Sequence, residues 1–190
     1  MAGIRIGVDY YPEQWDKALW KQDIEDMAQA GVKVVRLGEF AWCRMEPEEG
    51  RFDFEWLDEV IDLLEEKQME VVLCTPTNTP PQWLFEKYPE VIQVDKSGHR
   101  ISIGIRGHRC YNSPVYRKLC GNIIDALVSR YKDRKSVICY QIDNELEANH
   151  CCCPVCEESF RTWMKQKYET IQNVNKAYGN SVWSGEFSSF

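Results

Sequence analysis

Apolar runs of strand length alternate with segments of helical periodicity along the whole chain, and that alternation leaves few folds open. Ile4 to Asp9 and Val32 to Leu37 read as short apolar strands. Between them Trp20, Ile24 and Met27 recur at helical spacing, and Gly31 stands where a helix closes on a left-handed residue. Phe54, Leu57, Ile61 and Leu64 mark a second helix, and Val71 to Cys74 a third strand that runs into TPTNTPPQW, a Thr-, Pro- and Asn-rich loop. Ser113-Pro114 supplies a helix cap followed by Pro at the first helical position, and Leu119, Ile123, Leu127 and Tyr131 line the inner face beyond it. A fourth strand is predicted over Ser136 to Ile142. Helices are predicted over Pro154 to Lys167, with Phe160, Met164 and Tyr168 on one face, and over Thr170 to Tyr178 before Gly179.

Strands this apolar, alternating with helices, indicate a parallel sheet covered by helices. A doubly wound sheet would carry a Gly-rich phosphate loop after its first strand, but that strand ends DYYPEQW, with no G-x-G-x-x-G. A barrel sets its chemistry at the carboxyl ends of its strands. Polar residues gather there: Asp9, then Arg36 and Glu39, then Thr75 and Asn78, then Asn144 and Glu145. The chain therefore reads as an α/β protein of the (β/α)8 TIM-barrel class. Such a barrel takes eight strands and typically ~250 residues. The 190 residues here carry strands 1 to 4 and their helices, so 1–190 is expected to be the amino-terminal part of a catalytic domain.

Thirty acidic residues against 23 basic ones, a net charge of -7, argue against nucleic acid or an anionic membrane as partner. No apolar window approaches transmembrane length. MAGIRIGVDYYPEQW reads as a strand rather than a signal peptide. Nine cysteines without an export signal then suggest a reducing, cytoplasmic compartment, where thiols serve metals or packing. Seven Trp suit a core and also the apolar faces of sugar rings.

The most informative stretch is ICYQIDNELEANHCCCPVCEE. Side chains alternate along a strand, so Asn144 and Glu145 share a face only if the chain turns there. A Glu at that turn, partly desolvated by aromatic neighbours, would keep its proton near neutrality and could donate it. Glycoside hydrolysis uses such an acid together with a second carboxylate. Asn144 could hydrogen-bond a sugar hydroxyl, and the alternative for Glu145 is a surface ion pair. Arg36 either supports a catalytic carboxylate or pairs with Glu39 or another strand-end acid. Downstream, Cys153-Pro154-Val155-Cys156 is a C-x-x-C pair at a helix start, and Cys151 extends it to C-x-C-x-x-C, a spacing that lets thiolates converge on one metal. Cys152 leaves the choice of ligand open by one residue, and His150 is a weaker alternative. A redox pair or idle thiols are the competing readings. Cys43, Cys74 and Cys139 are expected as small buried hydrophobes, Cys120 as a helix residue without a partner, and His99 and His108 as polar loop residues.

The segments GVDYYPEQW, VVRLGEFAWCRMEPEEGRFDFEWLD, TPTNTPPQWL, RGHRCYNSP, QIDNE, CCCPVCEESFRTWMKQKY and NKAYGNSVWS, in that order, resemble glycoside hydrolase family 42, the β-galactosidases. The resemblance covers essentially the whole chain but only the amino-terminal part of a longer family protein. It implies a retaining β-galactosidase acting on terminal galactosides, in which Glu145 is the general acid/base and Asn144 binds the 2-hydroxyl. Arg106 contacts the sugar in the −1 subsite, and Trp183 stands near the site wall or is a plain core aromatic. Gly107 departs from the family, which often has a second basic residue there.

The resemblance also supplies Cys110 as the remote ligand that completes a structural zinc site with Cys151, Cys153 and Cys156, pinning the loop of Arg106 to the loop after Glu145. It places the nucleophile on a late strand, beyond Phe190. Neither Glu39 nor Glu147 matches the nucleophile motif, so 1–190 alone is expected to be inert and poorly soluble. A trimer is the implied assembly. The alternatives are a clan relative with another glycone, such as an arabinopyranosidase, and a non-catalytic, zinc-stabilised sugar-binding fragment.

Overall fold

The computed structural model describes residues 4–104, 106–146 and 150–190. Four strands, β1 (Gly7–Asp9), β2 (Val34–Leu37), β3 (Glu70–Cys74) and β4 (Val137–Gln141), form a parallel sheet in the order β1-β2-β3-β4. Each strand lies beside its predecessor, with Val8 opposite Val35, Val35 opposite Val71 and Leu73 opposite Tyr140. A doubly wound sheet reverses its strand order at a switch point. Here the order follows the sequence without reversal, as in a barrel wall.

The connections are helical: α1 (Lys17–Gln29), α2 (Trp42–Met45), α3 (Glu55–Glu66), α4 (Gln82–Lys87) and α5 (Pro114–Tyr131). The Asp16 carboxylate accepts from the Ala18 N–H at 2.9 Å to open α1, and the Ser113 hydroxyl accepts from the Tyr116 N–H to open α5. Val35, Leu57, Val60, Ile61, Leu64, Val71, Leu73, Ile123 and Leu127 are fully buried between sheet and helices. Burying each is worth ~1.5–3 kcal/mol. This set includes most of the inner faces that periodicity predicts for α3 and α5.

α2 and α4 were not predicted. Buried Glu46, which closes α2, accepts locally from Trp42 Nε1 at 2.7 Å and from the Gly50 N–H at 2.8 Å, and its carbonyl accepts from Trp83 Nε1 of α4 at 2.8 Å, a tertiary contact that joins the two helices. Gly38 suits this loop because its φ of +81 is a left-handed backbone that side chains rarely adopt, and a Cβ there would also displace the tip of Met45, 2.7 Å away. TPTNTPPQW is therefore not all loop: Pro76–Asn78 forms a 3-10 turn and α4 starts at Gln82. The outer strands are shorter than predicted, since Ile4 and Ile6 precede the paired residues and are exposed.

Of the cysteines expected to be buried, only Cys74 is; Cys43 and Cys139 are exposed. Trp42 and Met45 take the inner face of α2 and turn Cys43 outward. Ile138 and Cys139 point to opposite faces of β4 and both are exposed, so neither face of this last strand is fully covered. Beyond β4, α6 (Pro154–Tyr168) and α7 (Ile171–Tyr178) form a helical pair closed by Gly179 at φ 66. Their shared core is small: Met164 and Val174 are buried, whereas Phe160, predicted on the inner face, is 57% exposed.

Candidate active site and thiol cluster

The carboxyl ends of the strands carry one connected polar network. Arg36 donates from Nε and Nη2 to the two oxygens of Asp9, each at 2.7 Å, from Nη2 to Glu39 at 3.0 Å, and from Nη1 to Gln141 Oε1 at 2.5 Å. It thus pairs with both acids. Glu39, 3% exposed, also accepts from the Tyr11 hydroxyl at 2.5 Å and from Gln141 Nε2 at 3.3 Å. Burial, and then that hydrogen bond to Glu39, push the Tyr11 phenol up to about 12, so it stays a donor.

β4 ends at Gln141 and the chain turns as the sequence requires: Asp143 (φ 55) and Glu145 (φ 42) both adopt left-handed backbone. Such residues cost ~1–3 kcal/mol each and persist where the surroundings over-determine them. With the Asn144 amide oriented by its neighbours, its nitrogen donates to Glu39 Oε1 at 2.6 Å and its oxygen accepts from Arg106 Nη1 at 3.2 Å. Arg106 Nη2 pairs with Glu145 Oε2 at 2.8 Å, and its guanidinium lies 5.7 Å over the Phe40 ring, which stacks on Tyr11. The predicted residues Arg36, Arg106, Asn144 and Glu145 therefore converge, with Glu39 at the hub. An open groove of about 810 Å³, lined by Gln14, Phe40, Pro80, Gln82 and Arg106 among others, adjoins them.

Two features differ from the sequence reading. The Glu145 side chain is 58% exposed and faces Arg106, so the described residues do not build an aromatic, desolvated pocket around it. Trp183 stands apart, 96% exposed in a turn after α7 at φ 62, so it is no core aromatic. Glu147 lies outside the described residues.

Sequence reasoning missed Arg109 and Asp143, which are 1% and 7% exposed. Arg109 Nη2 reaches Asp143 Oδ1 at 3.4 Å, and its guanidinium lies 4.5 Å over the Tyr111 ring. The signal was present in both motifs, RGHRC and QIDNE, but nothing local says that two charges 34 residues apart meet in the interior. His108 was read as a polar loop residue and is instead 3% exposed, its ring 4.7 Å from that of Phe85. Burial holds its imidazole below the ordinary histidine range.

The thiols of Cys110, Cys151, Cys153 and Cys156 all lie within 4.8 Å of one another and could hold a metal ion. Cys110 Sγ is 3.6 Å from Cys153 Sγ and 3.4 Å from Cys156 Sγ. Tetrahedral Zn–S bonds of ~2.3 Å would set the sulfurs ~3.8 Å apart, so the donor set fits. Cys152 stays outside this group and donates its N–H to the Val94 carbonyl at 2.8 Å; His150 is exposed, and its carbonyl accepts from Gln93. Backbone amide and side-chain donors support the sulfurs: the Val94 N–H to Cys151 at 3.4 Å and Asn112 Nδ2 to Cys156 at 3.3 Å. His99 is a turn residue, 80% exposed beside Asp95, as expected.

A family model described as β-galactosidase matches residues 9–190. The chain belongs to glycoside hydrolase family 42. It is 60% identical over 187 residues to β-galactosidase BgaA of Clostridium cellulovorans, covering 98% of this chain and 28% of that protein. It is 46% identical over 188 residues to BgaA of a Thermus species, covering 97% of this chain and 29% of that protein. Among solved structures, the family 42 chain superposes on a β-galactosidase from the Antarctic haloarchaeon Halorubrum lacusprofundi with a TM-score of 0.92 at 43% identity, covering 98% of this chain and 28% of that one. Likeness to a β-amylase catalytic domain from Paenibacillus polymyxa, TM-score 0.63 at 16% identity and covering 97% of this chain and 51% of that one, reaches the fold alone. The four parallel strands and their helices are thus the first half of an α/β barrel, and the chain spans about 28% of the length of the first of these relatives.

Proposed function

We propose that residues 1–190 are the amino-terminal part of the catalytic domain of a retaining β-galactosidase and carry the acid/base half of its site. The observation that carries this reading is the cluster of Glu145, Arg106 and Asn144 at the carboxyl edge of a family 42 sheet. In the first step Glu145 gives its proton to the leaving oxygen while a second carboxylate attacks the anomeric carbon, and the aglycone departs. In the second step Glu145 takes a proton from water as that water attacks the glycosyl-enzyme, which releases galactose and restores both carboxyls. The Arg106 guanidinium orients Glu145 and the sugar, and Asn144 presents its amide to the 2-hydroxyl. Arg36 fixes Glu39 beneath them, and Trp183 contributes to the wall of the complete site.

The second carboxylate must lie ~5 Å from Glu145 across the anomeric carbon. It is assigned to the part of the family protein that this chain does not cover. The isolated segment is accordingly inert. Exposed Ile4, Ile6, Ile138, Ile142 and Leu146 beside the free strand edges also make it poorly soluble. The reading includes a cytoplasmic setting, in keeping with free thiols, and a homotrimer. No helix among the described residues is long and apolar enough to cross a membrane.

Cys110, Cys151, Cys153 and Cys156 would hold a structural zinc. Four thiolates and a divalent cation sum to about −2 and leave no open position, so the ion clamps loops rather than activating water.

In the full-length protein, Glu145→Gln should cut turnover of alkyl galactosides, whose leaving groups are poor, ~10²- to 10⁴-fold and spare nitrophenyl galactosides far more. Equal losses on both substrates would remove Glu145 from the acid role.

A further inference from the structure

The turn that carries Asn144 and Glu145 is held from below by charges that the reaction itself does not use. Asp143 is the pivot. Its Oδ1 accepts from the Asn144 N–H at 2.6 Å, from Asn78 Nδ2 at 3.2 Å and from Arg109 Nη2 at 3.4 Å, and its Oδ2 accepts from the Thr77 hydroxyl at 3.2 Å. Its own N–H donates to Thr75 Oγ1 at 2.8 Å, and Asn78 Nδ2 donates to the Asn144 carbonyl at 2.6 Å. The three residues 75, 77 and 78 all belong to the loop that ends β3. Arg109 is fixed in turn: Nη2 donates to the Tyr111 hydroxyl, and Nε donates at 3.4 Å to the Tyr116 hydroxyl, which itself donates to the Thr77 carbonyl at 2.8 Å. The ring is closed, and almost every member is buried.

Two left-handed residues flank Asn144, so its amide and the Glu145 carboxylate point where they do only while this turn is enforced. We propose that the buried Arg109–Asp143 pair is the positioning device of the acid/base: it locks the Asp143–Glu145 turn and so sets where Asn144 and Glu145 meet the substrate. The proposal rests on the assignment of Glu145 as the acid. Arg109 and Asp143 are 1% and 7% exposed, beneath the residues assigned to the substrate. A purely structural ion pair would lower stability when lost and leave turnover per folded molecule unchanged. A positioning pair acts on turnover, because a misplacement of ~1 Å at the reacting atoms costs roughly 10²-fold.

The test uses the full-length enzyme. Asp143→Asn strands a buried guanidinium and risks unfolding, so the deciding variant is Arg109→Gln with Asp143→Asn. It removes both charges together and keeps hydrogen-bonding groups at both positions. Its melting temperature is measured beside kcat and KM on an alkyl and a nitrophenyl galactoside. Positioning predicts a folded protein in which kcat on the alkyl galactoside falls ~10- to 100-fold. The nitrophenyl galactoside should lose several-fold less, and KM should change little. A folded double variant with wild-type kcat on both substrates, or with equal losses on both, overturns the proposal. Glu145→Gln is run in parallel. If it discriminates between the substrates and the double variant does not, the pair's role fails and the acid assignment stands. If Glu145→Gln itself does not discriminate, the acid assignment fails and the proposal, which rests on it, is overturned with it. Where Glu145→Gln does discriminate, the crystal structure of the double variant gives a second readout: a turn displaced from Arg106 supports positioning, and a turn unmoved refutes it.

Discussion

The body of the molecule, β1 to β4 with α1 to α5, and the α6–α7 pair beyond it hold together by different physics. In the body, Leu57, Ile61, Leu64, Val71 and Leu73 are fully buried, and one continuous apolar core runs from Tyr10 to Tyr131. In α6–α7 the buried hydrophobic side chains are Met164 and Val174, while Phe160, Trp163 and Tyr178 are 57%, 43% and 57% exposed. The pair meets the body at the thiols: Cys110 against Cys153 and Cys156, Asn112 against Cys156, Val94 against Cys151 and Cys152. Helices that bury so little apolar surface against the described residues gain from another tether, and the cysteine cluster stands at the joint.

The largest effect that would break this contrast is loss of the cluster. Structural zinc in small sites binds with ~10–16 kcal/mol at neutral pH, more than two buried side chains supply. Metal analysis of the reduced full-length enzyme should find about one zinc per chain. Chelation, or Cys156→Ser, should lower the melting temperature and open α6–α7 to protease well before the body. It should spare the activity of molecules that remain folded. Metal-free protein that melts unchanged would mean the thiols are idle.

A smaller effect separates the two cores. Leu57→Ala empties a fully buried site in α3 and should cost ~2–5 kcal/mol. Phe160→Ala on α6 should stay within ~0.5 kcal/mol. Denaturant midpoints of the two variants should differ accordingly, and equal costs would erase the distinction.

The smallest effect concerns ion pairs. In the body, Arg130 on α5 pairs with Asp58 on α3, which also accepts from the Tyr131 hydroxyl at 2.8 Å. Burial alone would raise the Asp58 carboxyl, but hydrogen bonds from Arg130 and Tyr131 outweigh it and hold it below the ordinary range. A carboxyl lowered in the folded state stabilises above its unfolded value, and that contribution is lost as pH falls through the folded value. Asp58→Asn should therefore cost ~1 kcal/mol or less at neutral pH, since Arg130 is half exposed, and nothing once pH drops below both values. The corresponding pair on α6, Glu157 with Arg161 at i,i+4, joins no second element, and its removal should cost ~0.3–0.5 kcal/mol at most. A cost for Asp58→Asn that persists in acid would assign the effect to packing instead.

The sequence by itself determined the parallel β/α order, the inner faces of α1, α3 and α5, and the turn at Asn144 and Glu145. All of these follow from short-range rules: side-chain period along a helix or strand, a cap at Ser113, a left-handed stop at Gly31. It also carried the cysteine spacing, because three of the four thiols lie within six residues. Tertiary structure alone decided the rest. α4 is joined to the end of α2 because Trp83 reaches the Glu46 carbonyl 37 residues away. His108 is buried because Phe85 lies against it. Glu145 faces Arg106 rather than an aromatic pocket, and Arg109 meets Asp143 in the interior. Periodicity records which way a side chain points. A buried charge is tolerated only where a partner from a distant segment arrives, and local pattern holds no record of that arrival.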